Sequence, residues 1–262
     1  MAENTKSQPK VVIFDLETLP NLQEALKVWP QLSNYPGLTL RASINTIACA
    51  GWKIYGEEKT HCIHAWDYPS WQEDVNDDYC LVKDLYEVLK DADAVITHNG
   101  AKFDWKFLQT RLMFHKISLL PSIAHIDTKQ LASRNLFSFN NKLDTLGEWM
   151  VGDRKLENGG WQLWVDVHSR KKSAMKLMSE YCMQDVDLLE KVYKRLIPFV
   201  KNHPNMNLWV KDRVRVCPNC GHNKLSSRGW RYSKTGKFRR YVCRNCGSPS
   251  RGDKKELNLR SI

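Results

Sequence analysis

The stretch Val11-Val12-Ile13-Phe14-Asp15-Leu16-Glu17-Thr18 constrains this chain most. It begins as a β-branched apolar run, the pattern of a buried strand. It ends by placing two carboxylates at i and i+2, which a strand directs to one face. Two like charges beside an apolar core raise each other's pKa, and burial disfavours the ionised form. A divalent cation between them removes that penalty. A lone D-x-E at a strand end is more often a pair of solvated acids, so the rest of the chain has to decide.

Further apolar stretches give an order of elements. Ile44–Ile54 and Lys59–Ala65 read as strands joined at Gly56-Glu57. Asp78–Lys90 has helical spacing, with Val82, Leu85, Tyr86 and Leu89 on one face and Asp77 or Asp78 as cap. Ala94–His98 is a short strand, and the helix after Asp104 directs Trp105, Leu108, Leu112 and Met113 inward. His125-Ile126-Asp127 ends another strand, and Leu143–Met150 fits a brief helix. Pro20 to Gly37 is irregular, and Gly159–Trp164 reads as a loop. This order implies an α/β body with a mixed sheet flanked by helices.

From Ser173 onward one stripe contains Ala174, Met178, Tyr181, Cys182, Asp185, Leu188, Leu189 and Val192, with Pro198 as its limit. Asp185 is the charge on that buried stripe, while Asp187 points away to solvent. Asp15, Glu17, Asp104 and Asp185 thus stand out by position, and together they describe a pocket that needs cations, as in a two-metal phosphodiesterase.

The remaining chemistry lies at the other end of the chain. The formal charge is +11, and residues 211–262 hold 15 Lys/Arg against 3 Asp/Glu, which leaves 1–210 near neutral. That asymmetry suggests a nucleic-acid contact module on a neutral body. Cys217-Pro218-Asn219-Cys220-Gly221 and Cys243-Arg244-Asn245-Cys246-Gly247 are paired knuckles 22 residues apart. Four such thiolates suit one tetrahedral Zn²⁺. Between them, Gly229–Tyr232 and Phe238–Val242 read as a hairpin in which basic and aromatic residues interleave, suited to phosphates and bases. Cys49, Cys62, Cys80 and Cys182 sit among apolar residues and read as small hydrophobes. No apolar run approaches a membrane span, and the first residues form no signal core, so a soluble intracellular protein without membrane contact is expected.

Phe14-Asp15-Leu16-Glu17-Thr18, Asn99-x-x-x-Phe103-Asp104 and Tyr181-x-x-x-Asp185 resemble the three motifs of the DEDD 3′→5′ exonucleases. Tyr181 in the third motif resembles the DEDDy subgroup, and the second motif resembles the proofreading domain of family B DNA polymerases and its free-standing phage and bacterial relatives. His125–Thr128 and Lys142–Leu146 also resemble stretches of that family, with no catalytic role given to Asp127 or Asp144. The resemblance spans roughly residues 10–200. It implies a ribonuclease H-like fold in an exonuclease domain over 1–210, while the segment 211–262, with its paired knuckles, resembles a basic zinc ribbon. It implies that Asp15, Glu17, Asp104 and Asp185 hold two Mg²⁺ or Mn²⁺ ions and that Tyr181 orients or deprotonates the attacking water. Thr18, Asn99 and Phe103 would touch the terminal nucleotide. Cys217, Cys220, Cys243 and Cys246 would hold one structural Zn²⁺, without His222. The expected activity is hydrolysis from 3′ ends of single-stranded DNA, in the cytoplasm of a bacterial or phage-infected cell. An RNA exonuclease and a nuclease-inactive adaptor are the alternatives. The sequence does not name a protein partner.

Overall fold

The computed structural model describes residues 9–19, 45–201, 203–209, 215–234 and 236–257. The expected irregular segment from Pro20 to Gly37 and the expected boundary at 210/211 lie outside them. The chain divides into two compact units. One comprises Lys10–Gln130 and Phe139–Val192; the other includes Leu131–Ser138 and Tyr193–Ile262.

The larger unit is built on a five-stranded mixed sheet of order β3-β2-β1-β4-β5. Its strands are β1 (Val11–Leu19), β2 (Thr46–Ile54), β3 (His61–His64), β4 (Ala94–Thr97) and β5 (Ala124–Asp127). β1 pairs antiparallel with β2 and parallel with β4, so it is central. That explains its near-continuous apolar reading: Val12, Ile13 and Phe14 are fully buried. Each such side chain contributes about 1.5–3 kcal/mol by leaving water.

The helices are α1 (Pro69–Glu73), α2 (Tyr79–Leu89), α3 (Asp104–Phe114), α4 (Thr128–Asn135), α5 (Leu143–Val151), α6 (Trp161–His168) and α7 (Lys172–Leu196). Val12, Phe14 and Leu16 share a core with Leu81, Val82 and Leu85 of α2 and with Leu108 and Leu112 of α3. The α7 stripe is buried as its spacing requires, from Ala174 and Met178 through Leu188, Leu189 and Val192.

Several expectations shift. Asp78 does not cap α2 with its side chain. Instead it accepts from Ile47 N at 2.8 Å and pairs with Arg111 Nη2 at 2.6 Å, both buried. Asp77 accepts from Tyr79 N in the turn just before α2. On α3, Met113 is exposed and Phe107 and Arg111 are buried in its place. Arg111 faces inward because its charge is neutralised there by Asp78. The expected loop at Gly159–Trp164 is mostly helix: Gly159 and Gly160 lead into α6, which begins at Trp161 and buries Leu163 and Val167. Asp187 is paired with Lys53 at 3.0 Å and accepts from Thr60.

In the second unit, β6 (Leu225–Ser233), β7 (Gly236–Cys243) and β8 (Pro249–Leu257) form an antiparallel sheet. The expected hairpin is β6–β7, and β8 is an additional strand. Among the described residues, no helix is long and apolar enough to cross a membrane.

Candidate active site

β1 carries Asp15 and Glu17 on one side, and Gly51 of β2 lies directly opposite Asp15. A Cβ on Gly51 would stand 2.8 Å from the Cys182 carbonyl oxygen and 3.1 Å from Cys182 Sγ. Glycine therefore lets α7 lie close against the sheet. That approach brings Asp185 to β1: one carboxylate oxygen from each of Asp15, Glu17 and Asp185 lies within 4.8 Å of the others. Asp104 opens α3 and is not part of this close group. Its Oδ1 accepts a hydrogen bond from Leu16 N at 3.2 Å, between the two β1 acids in sequence. A bulge follows Glu17 and ends the regular alternation before Thr18, which is buried.

Asn99 sits in the turn after β4 with φ of 67°, the left-handed region that Asn tolerates better than most residues. Asp127 holds that turn by accepting from Asn99 N and Ala101 N. Phe103 is half-buried and packs against Phe107 with ring centroids 5.6 Å apart. Tyr181, one turn before Asp185 on α7, is buried.

Sequence reasoning missed Lys155. Its Nζ donates to the Tyr181 hydroxyl at 3.0 Å and forms a very short ion pair with Asp185 Oδ2. The segment before and after it is fastened from both sides. Asp144 of α5 accepts from Lys155 N and pairs with Arg154 at 2.6 Å. Gln184 of α7 donates to Arg154 O and accepts from Leu156 N. Asp144 therefore positions the loop that delivers Lys155. The only sequence signal was a basic residue near an acidic pocket, in a run with no periodicity.

Burial is the largest influence on the carboxyls. It raises Asp15 well above the carboxylate range, reinforced by Asp104 and Asp185. Glu17 is pushed up to about 8 by burial and then by Asp185. Asp104 is pushed up to about 7 by burial, against the hydrogen bonds it accepts. Asp185 is raised by burial, with Lys155 opposing. The Lys155 ammonium is held above its ordinary value because Asp15 and Asp185 outweigh its desolvation. Burial likewise raises the Tyr181 phenol. Asp185 Oδ1 is buried without a hydrogen-bond partner. Repelling carboxyls and an orphaned oxygen fit a hard divalent cation with oxygen ligands.

The second unit contains a different metal-ligand set. Cys217, Cys220, Cys243 and Cys246 have their sulfurs within 4.8 Å of one another. Cys217–Cys246 and Cys220–Cys243 are 3.7 and 3.6 Å apart. Sulfurs placed tetrahedrally around zinc at ~2.3 Å would be about 3.8 Å apart. The two knuckles repeat each other: Gly221 N donates to Cys217 O and Gly247 N to Cys243 O, with φ of 74° and 77°. This group can form a zinc site. His222 is engaged otherwise, accepting from Lys224 N.

Residues 40–197 match the family described as the RNase_H superfamily. The chain belongs to the RNase H superfamily. The matched span begins after β1, so the strand carrying Asp15 and Glu17 precedes it while occupying the centre of the same sheet. Among solved structures, the chain resembles the family B DNA polymerase from the hyperthermophilic archaeon Pyrobaculum calidifontis. That likeness has 13% identity and a TM-score of 0.51, covering 87% of this chain and 31% of the polymerase. The chain thus spans about a third of that polymerase, and the likeness concerns the fold. No curated protein matches the sequence. RNase H-like nucleases act on nucleic acid with divalent metals, and the acidic group lies where such ions can be held.

Proposed function

We propose that this RNase H superfamily member is a metal-dependent 3′→5′ exonuclease of the DEDDy type, acting on single-stranded DNA ends. The observation that carries the reading is the convergence of Asp15, Glu17 and Asp185, with Tyr181 one turn from Asp185. Asp15, Glu17 and Asp185 would hold one Mg²⁺ or Mn²⁺, and Asp104 with Asp15 a second. Bound there, such ions lower the pKa of water and stabilise charge on phosphate and leaving oxygen.

The chain's own groups do the rest. Tyr181 keeps its proton at neutral pH and donates toward the water or a phosphate oxygen. Lys155 stays charged and offsets anionic charge that develops beside Tyr181. Thr18, Asn99 and Phe103 contact the terminal nucleotide. The four-cysteine group holds Zn²⁺ in a ribbon that binds nucleic acid through Arg228, Arg231, Arg240 and Arg244, all exposed. The free-standing phage or bacterial kind of exonuclease, working in the cytoplasm, fits this pairing of body and ribbon.

The test uses single-stranded DNA and RNA labelled at either end, with Mg²⁺, Mn²⁺ or chelator. Metal-dependent release of mononucleotides from the 3′ end of DNA is expected, and Asp15→Asn or Asp104→Asn should abolish it. Release from the 5′ end, preference for RNA, or full activity in either variant would overturn the corresponding part of the reading.

A further inference from the structure

Three cysteines far apart in sequence meet beside the acidic group. Cys49 lies on β2, Cys62 on β3 and Cys182 on α7, and their sulfurs are within 4.8 Å of one another. The sheet register explains the meeting. Glu17 pairs across with Cys49, which pairs with His64; Asp15 pairs with Gly51, which pairs with Cys62. Cys49, Gly51 and Cys62 therefore share the face that α7 covers, and Cys182 reaches it between Tyr181 and Asp185. Cys49 and Cys182 are fully buried, whereas Cys62 is half-buried and gives an approach from solvent.

Two features distinguish this group from cysteines that merely fill space. Cys182 Sγ accepts from Gly51 N at 3.1 Å and lies 3.8 Å from Asp15 O, so polar contacts from β2 and β1 hold that sulfur in place. The His64 imidazole next to Cys62 in this face is fixed on both nitrogens, by Asp67 at 2.9 Å and Ser179 at 2.7 Å.

We propose that Cys49, Cys62 and Cys182 form a separate thiolate site for a soft divalent cation such as Zn²⁺ or Cd²⁺. Thiolates select such ions, whereas the neighbouring carboxylates select hard ones, so the two sites divide metals by ligand chemistry. An ion here would tie β2, β3 and α7 together and fix the helix that carries Tyr181 and Asp185.

The test is a Cd²⁺ titration of the reduced full-length chain, followed by its ultraviolet sulfur-to-cadmium charge-transfer band. Carboxylate-bound cadmium does not contribute to that band. Wild type should bind one more thiolate-held Cd²⁺ per chain than Cys62→Ser, and Cys80→Ser should match wild type. Cd²⁺ should also raise the melting temperature of wild type more than that of Cys62→Ser. Because Cys62 is half-buried, that variant should keep the metal-free circular dichroism of wild type; Cys182→Ala provides a second deletion of the site. Equal cadmium stoichiometry in wild type, Cys62→Ser and Cys182→Ala would overturn the proposal and leave the three cysteines as packing groups.

Discussion

Lys155 Nζ lies 3.0 Å from the hydroxyl oxygen of Tyr181 while its charge rests on Asp185. One cation therefore links the residue that would orient water to the residue that would hold metal. Lys155→Ala should lower kcat about 10²–10³-fold, the usual cost of removing a preorganised charge donor. It should also strengthen apparent Mg²⁺ binding, because the ammonium no longer competes for Asp185. Lys155→Arg should recover part of kcat. Single-turnover assays across Mg²⁺ concentrations separate the two effects; an unchanged kcat would remove Lys155 from the chemistry.

Glu17 ties stability to pH in the metal-free chain. Its folded-state pKa is raised to about 8 from 4.5, so the folded state binds its proton more tightly than the unfolded state. The resulting stability is present at low pH and is lost as pH rises from about 4.5 toward about 8. Glu17→Gln removes this dependence. Its melting temperature relative to wild type should therefore climb as pH rises through that window, in chelator. With Mg²⁺ present the difference should shrink, since the ion takes the proton's place. A pH-independent difference in chelator would contradict the raised pKa.

Gly51→Ala should destabilise by about 1–3 kcal/mol, because the new methyl meets the Cys182 carbonyl oxygen at 2.8 Å, backbone that cannot swing aside, as well as Val186 Cγ2 and Cys182 Sγ. Moving α7 outward also separates Asp185 from Asp15. Activity should consequently fall more than melting temperature alone explains, measured well below the transition.

In the second unit, Trp230 has Arg239 over its ring at 3.9 Å and Lys237 at 4.5 Å. Cations thus already contact that ring, and the exposed arginines are the better candidates for binding phosphate. Replacing Arg228, Arg231 and Arg240 with Ala should weaken single-strand binding. It should flatten the dependence of log K on log salt by about 0.7 for each phosphate no longer neutralised. Cleavage of a very short substrate at saturation should change little. An unaltered salt slope would remove these residues from the interface.

The acidic site was largely legible because its residues break a pattern. Asp15 and Glu17 interrupt an apolar strand, and Asp185 interrupts an apolar helical stripe. The cysteine knuckles were legible because metal geometry fixes their spacing. Lys155 was not, since its place comes from side-chain bonds to Asp144 and Gln184 that no periodicity encodes. The meeting of Cys49, Cys62 and Cys182 depends on strand register and helix docking together, so each alone reads as an apolar filler. Arg111 is in the core, which the helical pattern did not foretell, because Asp78, just ahead of α2 and distant in sequence, neutralises it there.

β1 has partners on both sides, and the residues that complete its acidic group arrive only with α7. Synthesis runs from the N-terminal end, so a growing chain exposes Asp15 and Glu17 long before Asp185 and Tyr181 leave the ribosome. Until then the proposed centre lacks its third ligand and its tyrosine. On the proposed reading a nascent chain has no complete metal site, and cleavage begins only after α7 has emerged and docked.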